Sequence, residues 1–487
     1  MNSSFERYRW LIFAGLGAVG VWLLYVAANR PWLVANSRYL AALLALQLTL
    51  AALWHYEEIF FALLTASFLW SGMVLPLQRQ IMLARWGILG VAAWMGLLLW
   101  LRGKRRHYFG FFHLIAAACV SIALVSTLVS EAPNASLEKV LSLCMLFLYA
   151  AAGARISLEG REEQLVRWLV LLCEILTAVT APLLIVYHTN LFGHPNAVGA
   201  AMGVLVIPVL LCDLLSGRPY DRALYARRIA ILVLAGAVLY ESRARASILA
   251  AGFITILVCL VLRKHMFLLR AGFVVVFLLA AAGVYNPGQL TDFASSVTSE
   301  VIFKGRSTES GVWISRRGPW ELTVASVKRH PWFGSGFGTS DIAHDISSVP
   351  NGSRSTGINR EHGNSYLAVA EYMGLVGIIP FGILLLLLVV RLVRIYAWLR
   401  RTGLASHPYM TIVAILSAGL VHAFFEDWLF AVGSYLCLIF WSLAFVTMDF
   451  EPPSANMHEV NLRPLAWPAG WTLRPNVPAT WIGSPER

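Results

Sequence analysis

Apolar runs of about twenty residues recur along this chain, and polar residues collect between them. Runs of that length predict helices that cross ~30 Å of hydrocarbon. The expected spans are 10–28, 36–54, 58–77, 83–101, 109–130, 138–154, 163–187, 196–214, 228–241, 246–262, 267–285, 374–396, 409–425 and 428–448. Span 36–54 opens on Asn36, Ser37 and Arg38, and 228–241 is short, so the expectation is twelve helices and up to fourteen. An even number puts both termini on one side. The runs are continuous rather than alternating, which excludes a transmembrane β-barrel.

One polar interruption, 286–361, breaks this pattern. Within it, PWELTVASVKRH (319–330) predicts a helix with Pro319 in its first turn and an apolar stripe of Trp320, Val324 and Val327. HPWFGSGFG (330–338) ends that helix in a run of glycines, and 339–361, rich in Ser, Asn, Gly and Asp, predicts a cover over a site. The expected organisation is therefore N-terminal transmembrane helices over 1–285, a large loop over 286–361, C-terminal transmembrane helices over 362–448 and a proline-rich tail over 449–487.

Composition removes the soluble alternatives. Mean hydropathy is +0.68 and only 13% of residues are charged, against about a quarter in soluble chains. The net charge of +12 lies at the ends of apolar runs: Arg102 to Arg106, Arg218 to Arg228, Arg263-Lys264 and Arg391 to Arg401. Such clusters report orientation rather than nucleic-acid binding. All four fall on one face, which the positive-inside bias makes cytoplasmic, together with both termini. Glu131, His188–His194, Glu241–Arg245, the 286–361 loop and Glu426-Asp427 share the opposite face, periplasmic in a Gram-negative inner membrane. The six cysteines sit inside apolar runs without metal-ligand spacing and read as core residues. Met1 to Arg9 lead straight into the first run, so an uncleaved first helix is expected.

Three polar clusters on the outer face could carry chemistry. Arg243 and Arg245, between two spans, read either as interfacial side chains that snorkel or as a phosphate site. Arg316 and Arg317 precede Trp320 and read either as a solvated helix start or as cations for an anionic partner. His362, where the polar loop meets a membrane helix, reads either as an interfacial residue or as a general base near neutral pH. Glu361 and Glu371 could orient its ring. His188, Asn190, His194 and Asn196 either line a cavity or cap the next helix. His422, Glu426 and Asp427 sit at another outer helix end. Glu174, inside an apolar run, is a functional suspect or a hydrogen-bonded core residue. No DxD, HExxH, P-loop or dinucleotide fingerprint occurs, so neither a metal nor a cofactor is expected.

These segments resemble the O-antigen ligase and polymerase superfamily. HPWFGSGFG followed by HGNSYLAVAEYMGLVG (362–377) is similar to its glycine turn and His-Asn signature. SRARASIL (242–249), RRGPW (316–320) and FGHPNAVGAAM (192–202) are similar to further family segments, in the family's order. Departures are present: His362-Gly363-Asn364 is one residue longer than the usual His-Asn pair, and Glu371 stands three residues before Gly374 rather than two. Spacing to Trp320 favours Arg316 and spacing to Leu249 favours Arg245, with Arg243 and Arg317 kept as alternatives.

The resemblance implies an all-α, GT-C-like glycosyltransferase: an O-antigen ligase of lipopolysaccharide biosynthesis. It would move a glycan from undecaprenyl diphosphate to a sugar hydroxyl of lipid A-core, by inversion and without metal. His362, Arg243, Arg245, Arg316 and Arg317 would be catalytic. Asn364, Tyr366, Glu371, His194, Asn196, His330 and Gly336 would bind substrate. The partners would be the lipid-linked donor, the lipid A-core acceptor and the bilayer, with no nucleic acid; a monomer and a homodimer both stay open. An O-antigen polymerase and a protein O-oligosaccharyltransferase are the enzyme alternatives, and a lipid-linked glycan transporter is the non-enzyme one. A single large outer loop favours the ligase over the polymerase.

Overall fold

The computed structural model describes residues 56–102, 109–217, 221–270, 272–273, 277, 314–340 and 362–452. The expected spans 10–28 and 36–54, most of 267–285 and of the cover 339–361, and nearly all of the tail lie outside the described residues. Among the described residues every regular element is helical. In chain order these include α1 (Tyr56–Ser71), α2 (Gln78–Leu101), α3 (Phe111–Thr127), α4 (Pro133–Leu158), α5 (Glu162–Ile185), α6 (Pro195–Leu215), α7 (Arg222–Glu241), α8 (Arg245–Val261), α9 (Ile314–Arg329), α10 (Ser365–Thr402), α11 (Pro408–Ala423) and α12 (Tyr435–Asp449). Of these, α2, α4, α5, α6, α7 and α10 are each long and apolar enough to cross a membrane; α3, α8, α11 and α12 are apolar and shorter.

Helix α6 is the centre. Its apolar window is 94% buried, against 17% for α7, as expected for a helix that is hydrophobic all round. It packs against α5, α7, α8 and α11. Gly199 and Gly203, one turn apart, let α8 approach its backbone: a Cβ on Gly203 would lie 2.5 Å from the Ser247 carbonyl oxygen. Small residues at such spacing are how helices pack closely without a hydrophobic drive from lipid.

Three boundaries differ from the sequence expectation, each for a polar reason. Helix α7 starts at Arg222 rather than 228, because its arginines find carboxylates on neighbouring helices. Arg228 meets Glu174 at 2.5 Å and Asp213 at 3.1 Å, and Arg227 meets Glu174 at 3.1 Å. Glu174 is thereby an ion-pair partner, which removes the main intramembrane feature that a transporter would have explained. Helix α10 extends the expected 374–396 at both ends, with Asn364 as its N-cap. The apolar stretch 428–434 is a loop, buried at Trp428 to Phe430 and at Val432, and α12 begins only at Tyr435. That loop is held by Leu429, whose N–H donates to Ser365 Oγ (3.1 Å) and whose carbonyl accepts from Trp441 Nε1 (2.8 Å). Apolar periodicity cannot separate such a loop from a helix. At the far end of α12, Asp449 takes a bidentate pair from Arg155, 2.6 Å to each oxygen. All six cysteines are free; Cys144 alone is exposed.

Candidate active site

The turn before α10 places His362. Asn364 Oδ1 accepts from the N–H groups of Tyr366 (2.8 Å) and Leu367 (3.1 Å) and fixes the helix start. Gly363 adopts φ +65°, and a Cβ there would lie 2.8 Å from an Arg316 guanidinium nitrogen. The residue that lengthens the His-Asn pair is therefore a glycine because Arg316 packs on it.

His362 is buried between two carboxylates. Its backbone N–H donates to Asp427 Oδ2 (2.8 Å), and its Nδ1 lies 3.1 Å from the same oxygen. Its Nε2 lies 3.2 Å from Glu371 Oε2, a contact that is close but not well aligned as a hydrogen bond. Tyr372 Oη is 3.4 Å from Nδ1. Burial opposes a charge on the ring, but the contacts with Asp427 and Glu371 and their charges outweigh it and raise His362 above the usual histidine value. Burial likewise opposes ionisation of Asp427, and the His362 ring and backbone N–H reverse that and lower it. Both shifts favour an imidazolium beside a carboxylate over the neutral pair. Asp427 is the open side of the pair, 25% exposed in its side chain against 2% for His362 and 0% for Glu371.

Glu371 is held from behind by the glycine turn. Its Oε1 accepts from Ser340 Oγ at 2.5 Å. Helix α10 breaks at Gly374 (φ 60°, ψ −160°), which frees backbone groups that must find partners. The Glu371 carbonyl accepts from Ser335 N (2.8 Å), and the Tyr372 carbonyl from Ser126 Oγ of α3 (2.5 Å). Leu375 N donates to Pro331 O (2.8 Å) and Val376 N to Trp332 O (3.2 Å). The HPWFG segment is thus a strap across a broken helix. Gly334 lies so close that a Cβ would be 2.4 Å from the Glu371 carbonyl oxygen. Trp332 and Phe333 of the strap are exposed, as interfacial aromatic anchors are.

Arg316 and Arg317 separate cleanly. Helix α9 begins at Ile314, not at Pro319, so both arginines lie in its first turns and Pro319 is internal. Pro319, the sixth residue, lacks the N–H that would bond the Ser315 carbonyl. The cations oppose the helix dipole there, and each has a carboxylate. Arg316 pairs with Glu426, next to Asp427, with both side chains only 17% exposed. Arg317 is 76% exposed and pairs with Glu321 at 2.6 Å within its own helix. Of the two, Arg316 packs on Gly363, next to His362. The buried face of α9 is Thr323 and Ser326, with Trp320 and Val327 half-buried; Val324, expected in the stripe, is exposed. Trp320 Nε1 donates to the Gly363 carbonyl (3.3 Å).

The remaining predicted residues divide between two places. Tyr366, at the His362 site, donates its hydroxyl to the Leu420 carbonyl (2.7 Å). Arg245 is half-buried in the first turn of α8. Two residues on, Ser247 Oγ is 3.0 Å from His422 Nε2, and His422 Nδ1 accepts from Trp428 Nε1 (2.7 Å). That chain ties the start of α8 to the segment bearing Glu426 and Asp427. Arg243, His194 and Asn196 instead line a separate polar cleft of about 430 Å³ with His188, Asn190 and Glu241. Arg243 and His188 both hold φ +50° there, a left-handed backbone that non-glycine residues adopt at a cost. His194 Nδ1 accepts from Asn196 N (3.1 Å) and caps α6. Gly336 packs against Ser130, and His330 is exposed at the end of α9.

The sequence reading did not single out Asp427 as the partner of His362, nor Glu426 as the partner of Arg316. The available signal was their place on the predicted outer face beside His422. Lys139, which donates to the Gly338 carbonyl, was also not anticipated.

Fold and site together define a polytopic helical membrane protein with a buried acid–histidine–acid constellation beside an arginine at one end of its bundle. Residues 230–382 match the family model described as O-antigen ligase, and this match supports membership of the O-antigen ligase/polymerase superfamily. The matched span contains Arg243, Arg245, Arg316, the glycine turn, His362 and Glu371; Glu426 and Asp427 lie beyond it. No curated protein matches the chain.

Proposed function

We propose that this protein is an O-antigen ligase that transfers a glycan from undecaprenyl diphosphate to a sugar hydroxyl of lipid A-core, on the periplasmic side of the inner membrane. The observation that carries the reading is the juxtaposition of Arg316, Gly363, His362 and Asp427 within and beside the family-matched span. A lipid diphosphate leaving group needs cations, and a hydroxyl nucleophile needs a base.

In the proposed reaction the donor diphosphate draws Arg316 away from Glu426, and Arg245 supplies a second cation from the start of α8. The acceptor oxygen attacks the anomeric carbon as its bond to the diphosphate oxygen breaks, which inverts that centre. The hydroxyl proton passes to the His362–Asp427 pair, entering from the Asp427 side because His362 is enclosed. The pair accepts a proton only after losing the one it holds at rest, so the reaction runs faster as pH rises through the pair's own pKa. The polar cleft at Arg243, His194 and Asn196 is a subsite for sugar. Arginines carry the leaving charge, so the transfer proceeds in the presence of a chelator.

The test supplies the purified protein with a lipid-linked glycan and either lipid A-core or a second lipid-linked glycan. Elongation of lipid A-core supports the ligase reading. Elongation of the second lipid-linked glycan alone replaces it with a polymerase, and loss of transfer with chelator removes the metal-free step.

A further inference from the structure

A groove of about 860 Å³ runs between α8, α10 and α11. One end of it is lined by Leu420 and Val421 of α11, where the Leu420 carbonyl accepts from Tyr366 beside the site, and on α10 it follows Val389 to Arg401. Its walls are apolar: Phe253 and Leu257 from α8, and Leu392 and Val393 from α10, line it. The one polar pair in its wall is internally satisfied, since Tyr396 Oη donates to Ser417 Oγ at 3.2 Å. The groove therefore offers nothing to a sugar and suits a hydrocarbon chain.

Its end is different. Arg400 and Arg401, in the last turn of α10, line the mouth, and both are exposed. Neither is paired with a carboxylate among the described residues. From Arg401 to Val389 the groove follows about 18 Å of helix, close to the ~15 Å depth of one leaflet. We propose that this groove is a binding site for an anionic phospholipid, its acyl chain lying against Leu257, Leu392 and Val393 and its phosphate held by Arg400 and Arg401. The polyprenyl tail of a lipid-linked donor fits less well. It carries no charge at the end that would reach the arginines, and guanidinium forks suit phosphate oxygens. Helices α8, α10 and α11 bear Arg245, Glu371 and His422 toward their other ends, so a lipid seated here braces the elements that frame the site.

The full-length protein in neutral detergent is titrated with phosphatidylglycerol or with phosphatidylcholine of identical acyl chains, and retained lipid is counted by native mass spectrometry. Wild type retains phosphatidylglycerol in preference. One basic residue near an anionic headgroup contributes about five-fold in affinity, so Arg400→Gln/Arg401→Gln weakens retention roughly 25-fold. Val393→Trp, which fills the groove and keeps both arginines, also loses it, while Arg394→Gln, outside the groove, does not. Equal retention of the two lipids by wild type overturns the proposal, as does a preference that survives both groove variants. Displacement of phosphatidylglycerol by a neutral polyprenol also overturns it, and assigns the groove to the donor tail.

Discussion

In the proposed mechanism, removal of the buried carboxylate behind His362 makes transfer faster at low pH. In Glu371→Gln the side chain still accepts from Ser340 Oγ, but the charge 3.2 Å from His362 Nε2 is gone. An opposite charge at such range moves a pKa by about 1–3 units. Solvent screens little here, since both side chains are at most 2% exposed. Burial remains, and the partner left to hold the proton is the more open Asp427, so the pKa of the pair falls. Below the wild-type pKa, the fraction of pair in the base form rises about tenfold for each unit of the fall. A weaker base also removes protons more slowly, so the plateau at high pH drops. The two pH–rate profiles cross. The assay is glycan transfer to lipid A-core from pH 5 to 9 at saturating donor. The wild-type limb rises above the usual histidine value of about 6.5, and the variant limb lies below the wild-type one. A limb that stays in place or moves up in Glu371→Gln refutes the base assignment. Stability follows the same sign: a raised folded pKa stabilises fully below about pH 6.5, and the contribution is lost as pH rises through the folded value. Glu371→Gln flattens that dependence.

Other expectations rest on separate contacts. Gly363→Ala strains a φ +65° backbone and presses on Arg316; it costs about 1–3 kcal/mol in thermal unfolding and abolishes transfer while the protein still inserts. Arg316→Lys lowers affinity for undecaprenyl diphosphate by tenfold or more, because a bidentate fork is lost, whereas Arg317→Lys, at an exposed intrahelical pair, stays within two-fold in the same binding assay. Asp449→Ala leaves the 1%-exposed Arg155 side chain without its carboxylate and destabilises the purified protein by about 3–5 kcal/mol, read as a large fall in Tm without a change in the pH profile.

Much of the candidate site was legible in the sequence alone. The glycine turn, His362 and the cations near Trp320 are dense local signals, because each depends on residues within a few positions of one another. The separation of Arg316 from Arg317 was not legible, since two adjacent arginines differ only in which helix face they occupy. Nor was the pairing of His362 with Asp427, 65 positions away. The capping role of Asn364 Oδ1 and the bond of the Tyr366 hydroxyl to the Leu420 carbonyl also turn on geometry. Helix ends were misplaced where charge was buried by a distant partner, as at Arg228 with Glu174 and Asp213.

The sequence by itself determined that the chain spans a membrane, that one long polar stretch interrupts its apolar runs, and which short segments are the candidates for its chemistry. Those properties follow from run length, composition and local spacing. Only the tertiary structure decided that His362 sits between Glu371 and Asp427, and that a broken α10 is strapped by the glycine turn. It also decided that Arg243 lines a cleft apart from Arg316. Helix packing brings together groups hundreds of residues apart, and the energies of desolvation and charge that set a pKa exist only once those neighbours have met.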